Sequence, residues 1–275
     1  MRTVSYRVWL LGALLFASQA NAQGIDPQRV ISMQTEALEG SLVMGRAPIG
    51  TKVSVFGKDI RVGADGSFVF AVPREAEGSV RVTFAPRSGI AFSQEVKVLP
   101  KQWVEQRVNG VPPATVNPPP AIAERIAREQ ALVVEARKRD DDREDFLQTF
   151  IWPVRGRISG QFGNRRVYNG QPGSAHSGAD IAAPAGTPIK APADGVISFA
   201  NKDLYLTGGT VVLDHGFGVS TNYLHMSRID VKVGDVVKQG QVIGAVGSTG
   251  RATGPHLHWG MSWFETRVDP LLMVK

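Results

Sequence analysis

Two histidines near the end of the chain, His256 and His258, are separated by one residue in the segment 255–261. Side chains at positions i and i+2 of a β-strand point to the same face, so a strand here would place both imidazoles side by side. Two imidazoles on one strand face suit a first-row transition metal, most often zinc. An isolated His-x-His pair is more often structural, so the metal interpretation requires further ligands.

Further ligands are available upstream. The five histidines of the chain all lie beyond residue 151: they are His176, His215, His225, His256 and His258. His176 and Asp180 form a His-x3-Asp pair, which offers one nitrogen and one carboxylate oxygen. With one member of the His-x-His pair they make three protein ligands, and three ligands with a fourth position open to water is the catalytic zinc arrangement.

Hydrolysis by such a centre needs more than the metal. A bound metal lowers the pKa of its water towards ~7 and so makes a hydroxide nucleophile. A proton acceptor and a group that stabilises the oxyanion are still required. The other member of the His-x-His pair and His225 are available for these roles.

Four segments together are similar to the motifs of LytM/lysostaphin-type zinc endopeptidases: 159–163, 176–180, 223–227 and 254–258. The resemblance covers residues 152–270. It implies cleavage of peptide cross-links in peptidoglycan by zinc-bound water, on a two-sheet antiparallel β fold with a groove. It assigns the Zn²⁺ ligands as His176, Asp180 and His258, the general base as His256, and the second catalytic histidine, which assists the tetrahedral intermediate, as His225.

Four other side chains near these motifs have two interpretations each. His215 lies between a strand and a glycine turn, and we expect it to be structural. Tyr168 could help bind an oxyanion, but a loop aromatic is the simpler account. Arg165 and Arg166 could bind substrate carboxylates, although ordinary surface charge explains them equally.

The chain divides into five parts by composition. Residues 1–22 have two arginines, an apolar run and a small-x-small site, which predicts a cleaved signal peptide. Short alternating segments within residues 23–100 predict a small β-sandwich accessory domain. Residues 101–120 are a proline-rich linker, residues 121–150 a charged helix, and residues 151–275 the zinc peptidase domain. The predicted fold class is therefore mainly β.

Two segments of the last domain resemble each other, residues 186–197 and 234–244, and each predicts a strand, a glycine turn and a strand. A duplicated hairpin suggests a closed antiparallel barrel or sandwich. Biotinyl and lipoyl carriers use related hairpins with a modifiable lysine at the turn. Lys190 and Lys238 lack that setting, which argues against a carrier.

The predicted helix carries nine consecutive charged residues of both signs at 137–145. A solvated helix face is the simpler interpretation. The alternative is a helix that packs over the site of the following domain and regulates it.

Composition limits the partners. The formal net charge is +6, with an isoelectric point near 9.7 and no cysteine. Disulfides and thiolate metal sites are therefore excluded. No basic cluster stands without acids beside it, so we expect an anionic polymer such as a cell wall as the partner, and no nucleic acid.

The sequence thus predicts a periplasmic or secreted zinc endopeptidase that acts on peptidoglycan cross-link peptides. One alternative is a non-catalytic regulator that activates an amidase. Another is a wall-binding module with the N-terminal domain as its functional part. That domain could also contact a wall or divisome protein.

Overall fold

The computed structural model describes residues 31–274. The predicted signal peptide lies outside the described residues. The described chain is mainly β with antiparallel sheets, as predicted, and contains one α-helix. No helix in this part combines the length and the apolar character needed to cross a bilayer.

The N-terminal unit consists of two small sheets around a shared core. The three-stranded sheet has the order β1-β3-β6, and the five-stranded sheet has the order β2-β8-β7-β4-β5. The alternating segments at 52–56, 67–70, 79–84 and 95–98, on which the β prediction for this part rests, all lie in strands or at their ends. The strands are β1 (Ser32–Met33), β2 (Glu36–Leu38), β3 (Leu42–Arg46), β4 (Lys52–Val55), β5 (Lys58–Ile60), β6 (Ser67–Ala71), β7 (Ser79–Ala85) and β8 (Phe92–Leu99).

Strand β6 is buried on both faces because it lies between two hydrophobic cores. Phe68 and Phe70 pack into the N-terminal core, whereas Val69 and Ala71 pack into the core of the C-terminal domain. Successive side chains of a strand point to opposite faces, which explains the division. The N-terminal unit is therefore packed onto the C-terminal domain.

The segment 101–120, predicted as a linker that separates domains, is partly built into the C-terminal domain. Strand β9 (Glu105–Val108) pairs in parallel with Arg165–Tyr168. The Trp103 ring packs edge-on against Phe162. Composition did not show this, because the pairing joins residues that are far apart in sequence.

Helix α1 (Pro120–Ala136) is shorter than the predicted helix 121–150. The charged run after it is not α-helical. Two of its ion pairs join residues two apart, Arg139 with Asp141 and Arg143 with Asp145. Helical pairs join residues three or four apart, so these local pairs favour a non-helical backbone.

The C-terminal domain is built on a sheet of eight strands, in the order β10-β13-β21-β17-β16-β15-β19 with β22 beside β21. The other strands form two three-stranded sheets, β12-β11-β9 and β14-β20-β18. The strands are β10 (Arg157–Gly160), β11 (Arg165–Tyr168), β12 (Gln171–Ala175), β13 (Gly178–Ala182), β14 (Pro188–Lys190), β15 (Gly195–Leu204), β16 (Gly208–Asp214), β17 (Val219–Met226), β18 (Arg228–Ile229), β19 (Val236–Val237), β20 (Val242–Ala245), β21 (His256–Trp263) and β22 (Thr266–Val268).

The two similar segments, 186–197 and 234–244, do form strand–turn–strand units. Their strands pair with each other and not within each unit: β14 pairs β20, and β15 pairs β19. The duplication therefore builds one pair of interlocked hairpins, whose Asp194 carbonyl contacts His215.

Two aromatic residues before the predicted domain boundary at 151 belong to the C-terminal core. Phe146 packs against Phe217, and Phe150 packs against His215. Both are fully buried in the cluster that contains Trp259. Loss of a buried phenylalanine side chain costs about 3–5 kcal/mol, so a fragment that begins at 151 lacks much of its core stability.

Candidate metal centre and active site

The strand register brings the predicted ligands together. Strand β21 lies between β13 and β17, and His258 is directly opposite Asp180. Leu257 and Trp259 are fully buried in the core, so the alternating histidines face the other side of the sheet. That side borders a cavity of about 590 Å³, which contains all of the predicted site residues.

Three donor atoms of three residues meet in this cavity. The Nε2 of His176 lies 3.0 Å from the Nδ1 of His258, and each of these nitrogens lies 3.0 Å from Oδ1 of Asp180. All three residues are buried. The donors thus form a small triangle, two nitrogens and one oxygen, at one end of the cavity.

This triangle fits a zinc ion. The Nδ1 of His176 donates to the carbonyl of Gln161 at 2.9 Å, and a carbonyl only accepts, so the neutral imidazole keeps a lone pair on Nε2. That lone pair and the Asp180 carboxylate point to the same space, where only a proton or a cation can satisfy them. Zinc bonds to nitrogen and oxygen of about 2.0–2.2 Å are compatible with donors this close.

Asp180 is oriented by Arg166, for which the sequence predicted either a surface position or a contact with substrate carboxylates. The Nη2 of Arg166 donates to Oδ2 of Asp180 at 2.5 Å, which leaves Oδ1 directed to the two histidines. Burial favours a higher pKa for Asp180, but hydrogen bonds with His176 and His258 outweigh it and hold the pKa well below its usual range. Arg166 is itself buried, whereas Arg165 is exposed.

His225 and His256 stand beside the triangle with the same arrangement of hydrogen bonds. Their Nδ1 atoms donate to backbone carbonyls, His225 to Thr249 at 2.7 Å and His256 to Gly254 at 2.8 Å. Each Nε2 therefore keeps a lone pair in the neutral ring. The rings are 4.8 Å apart, and His256 Nε2 lies 3.9 Å from Asp180 Oδ1. Both rings therefore lie beside the donor triangle.

His225 is held neutral by its surroundings. Burial, followed by the nearby His256 and His258, lowers the pKa of His225 to about 3. Its φ angle is 64°, in the left-handed region that non-glycine residues rarely adopt. Nothing in the sequence signals this conformation, which results from the local pairing at the end of β17.

The two remaining candidates have different positions. His215 is fully buried away from the cavity and bonds the Asp194 carbonyl and the Thr221 hydroxyl, as expected for a structural histidine. Tyr168 does line the cavity, and the guanidinium of Arg251 lies 4.3 Å from its ring centre. Tyr168 is therefore a residue of strand β11 and of the cavity wall.

The buried histidines make the metal-free protein sensitive to acid. Burial lowers the pKa of His215 from 6.5 to about 4, and the pKa values of His225 and His258 shift in the same direction. Below pH 6.5 these histidines bind protons in the unfolded chain but stay deprotonated in the folded one. The free energy of unfolding therefore falls as the pH drops towards 4. Asp214 opposes this, because burial raises its pKa to about 6.

The three histidines destabilise the acidified protein more than Asp214 stabilises it. We therefore expect the melting temperature of protein whose metal has been removed by a chelator to be lower at pH 5 than at pH 7. His215→Asn should reduce this difference by a few degrees, on the order expected for ~1 kcal/mol, and should leave zinc content unchanged. An equal difference in wild type and variant would contradict the assignment to His215.

The comparisons with known proteins agree with this geometry. The model of peptidase family M23 matches residues 174–270. The peptidoglycan DD-endopeptidase ShyA of Vibrio cholerae is 42% identical over 123 residues, which cover 44% of this chain and 28% of ShyA. The cell division protein DipM of Caulobacter vibrioides is 34% identical over 165 residues, 58% of this chain and 26% of DipM.

A solved structure extends the match beyond the catalytic part. A Pseudomonas aeruginosa protein described as a peptidase of family M23 is 31% identical, with a TM-score of 0.67, over 86% of this chain and 94% of the other. This chain therefore belongs to peptidase family M23, and its His176, Asp180 and His258 form a donor set that fits zinc. It spans only about a quarter of the length of the curated relatives, 28% of ShyA and 26% of DipM.

Proposed function

We propose that this protein is an endopeptidase that hydrolyses the peptide cross-links of bacterial peptidoglycan. The observation that carries the proposal is the meeting of three metal donors with the imidazoles of His225 and His256 in one cavity. Relatives named as peptidoglycan DD-endopeptidases support the choice of substrate.

In this proposal His176, Asp180 and His258 hold the metal. When bound there, zinc supplies Lewis-acid chemistry: it makes water more acidic and polarises a carbonyl oxygen. The geometry of the ligands is prepared by the protein, since Arg166 binds the outer oxygen of Asp180 and Gln161 fixes the tautomer of His176.

His256 is the proposed general base. Its Nε2 accepts the proton of the attacking water and later gives a proton to the leaving amine, while Gly254 holds the opposite edge of the ring. His225 is buried, and burial lowers its pKa. Its Nε2 has a lone pair, so in this proposal it first takes a proton beside His256 and then donates that proton in a hydrogen bond to the substrate oxygen. His256 is the more exposed of the two, which suits exchange of protons with solvent.

Export to the periplasm or beyond the cell accompanies this function, because the substrate lies there. The segment 1–22 is the proposed cleaved leader. The N-terminal unit, which packs on the catalytic domain, is the proposed contact for wall or divisome proteins, and the division-related name of DipM supports it. The regulator alternative is not favoured, since each of the five site positions is filled.

Metal removal tests the proposal. Because three neutral or anionic donors share one cation, exhaustive chelation should abolish hydrolysis of a cross-linked muropeptide dimer, and added Zn²⁺ should restore it. Mass spectrometry of the products identifies the bond that is cut. Undiminished hydrolysis by protein shown to be zinc-free would refute the metallopeptidase mechanism.

A further inference from the structure

The cavity beside the metal centre carries an excess of positive charge. Of the described residues, its walls include two carboxylates, Asp180 and Glu129, and five arginines: Arg137, Arg157, Arg166, Arg251 and Arg267. Both carboxylates already have partners, because Asp180 contacts Arg166 and Glu129 contacts Arg125. The cavity therefore favours an anionic ligand.

Arg137 is the least satisfied of these cations. It follows the last residue of α1, it is only 7% exposed, and its Nε is buried without a hydrogen-bond partner in the described chain. Burial, followed by the charge of Arg267, lowers the pKa of Arg137 to about 9. Glu265 is the carboxylate that favours its charge, but it is exposed and forms no ion pair with Arg137 in the described residues.

Arg267 presents a second guanidinium from the sheet. It lies opposite Ser262 on β21, so it shares the sheet face of His256 and His258. Its Nη1 donates to Oδ1 of Asn222 at 3.3 Å, and burial lowers its pKa to about 10. Among the described residues it has no carboxylate partner. Two like charges in one low-dielectric space repel, and an anion between them would relieve both.

The floor between Arg267 and the metal centre is kept open by glycine. Gly260 is opposite Asn222 on the next strand, and a Cβ there would lie 2.4 Å from Asn222 Oδ1. Ser262 lies four positions after His258 on β21, a span of about 13 Å. An extended peptide could therefore cover both the metal donors and the two arginines.

We propose that Arg137 and Arg267 form a carboxylate-binding subsite of this cavity, which takes a free carboxylate of the peptide whose amide is cut. The inference rests on the proposed function and names a specificity determinant for it. Guanidinium groups bind carboxylates through two parallel N–H donors, which gives orientation as well as attraction. One arginine comes from the helix segment and one from the sheet, so the carboxylate would lie between these two walls.

The test compares a soluble cross-linked muropeptide dimer carrying free carboxylates with the same dimer after amidation. Wild type should prefer the free acid, and Arg267→Gln and Arg137→Gln should each lower kcat/KM on it roughly 10–100-fold, the usual effect of losing a charge-assisted contact. On the amidated dimer the variants should match wild type. Arg267→Lys should recover part of the loss, because it retains the charge.

The zinc content and the melting temperature of Arg267→Gln and Arg137→Gln should equal those of wild type, because neither arginine binds the metal in this proposal. Arg128→Gln is the matched control. Arg128 is on α1, 70% exposed, and outside the cavity lining. Equal losses on both dimers, or no loss on the free acid, would overturn the subsite.

Calorimetric binding of the free-acid dimer to zinc-free protein separates the subsite from the proposed hydrolysis. Binding that is lost in Arg267→Gln supports the subsite even if wild type cuts neither dimer, a result that would remove the hydrolase function alone. Binding that is equal in wild type and both variants overturns the subsite.

Discussion

His258→Ala should emerge largely free of zinc and inactive on a cross-linked muropeptide. The Nδ1 of His258 is one of three donors that meet at 3.0 Å, so its removal leaves one nitrogen and one carboxylate oxygen. Two protein ligands hold zinc far more weakly than three, and the loss in binding free energy is several kcal/mol. Atomic absorption of the purified variant, beside its turnover, measures both effects.

His256→Ala is the matched comparison, because it changes the same residue type two positions away on the same strand face. Its Nε2 lies 3.9 Å from Asp180 Oδ1 and is not part of the donor triangle. This variant should keep near-stoichiometric zinc, fold normally and lose roughly 10²–10⁴ in rate. His225→Ala should behave in the same way. A zinc-replete His258→Ala beside a zinc-free His256→Ala would exchange the two assignments.

Local periodicity predicts only part of the donor set, and the resemblance to the zinc endopeptidase family supplied the rest. Alternation in a strand places His256 and His258 on one face whatever the rest of the fold does, and His-x3-Asp brings a second pair of donors. Which histidine binds the metal could not be predicted from spacing. That depends on the register that places His258, and not His256, opposite Asp180.

Two of the differences between prediction and structure concern contacts between distant parts of the chain. Arg166 was assigned no place at the metal centre, because its approach to Asp180 follows from the fold of β11 against β13. The predicted domain boundary at 151 follows a change in composition and leaves Phe146 and Phe150 outside the catalytic domain. Both side chains are nevertheless buried in the core of that domain. The third difference is local: the charged run at 137–145 was predicted to belong to a helix, yet α1 ends at Ala136 and two ion pairs of the run join residues two apart.

The position of helix α1 agrees with the alternative in which the helix covers the site. Ile126 and Val133 line the cavity, yet the helix has no buried residue. It is held by polar contacts: Arg125 donates to the Asp203 carbonyl at 2.9 Å, and Glu129 accepts from the Tyr205 amide at 2.7 Å. Helix α1 borders the cavity and buries none of its own side chains, so little packing energy opposes movement of residues 120–133. Arg137, which follows the helix, is buried and stays with the domain.

We therefore expect the double variant Arg125→Ala/Glu129→Ala to hydrolyse intact peptidoglycan sacculi faster than wild type. Each lost polar contact weakens the attachment of the helix by ~1 kcal/mol, so the fraction of molecules in which the helix has moved off the cavity should rise roughly 10–30-fold. A polymer such as a sacculus can enter the cavity only in that state. A small soluble dimer, which fits a cavity of about 590 Å³ more easily, should gain nothing. The measurement is the ratio of the two rates.

Deleting residues 23–149 is not a usable test of this cover, because the deletion also removes Phe146 from the core. The better control is Glu124→Ala/Arg128→Ala, which breaks the exposed pair on the same helix. Hydrogen exchange across residues 120–136 reports whether the helix has loosened. If exchange rises in the double variant while the rate on sacculi stays equal or falls, the helix is a wall of the substrate site and does not regulate it, since its release would then leave access unchanged.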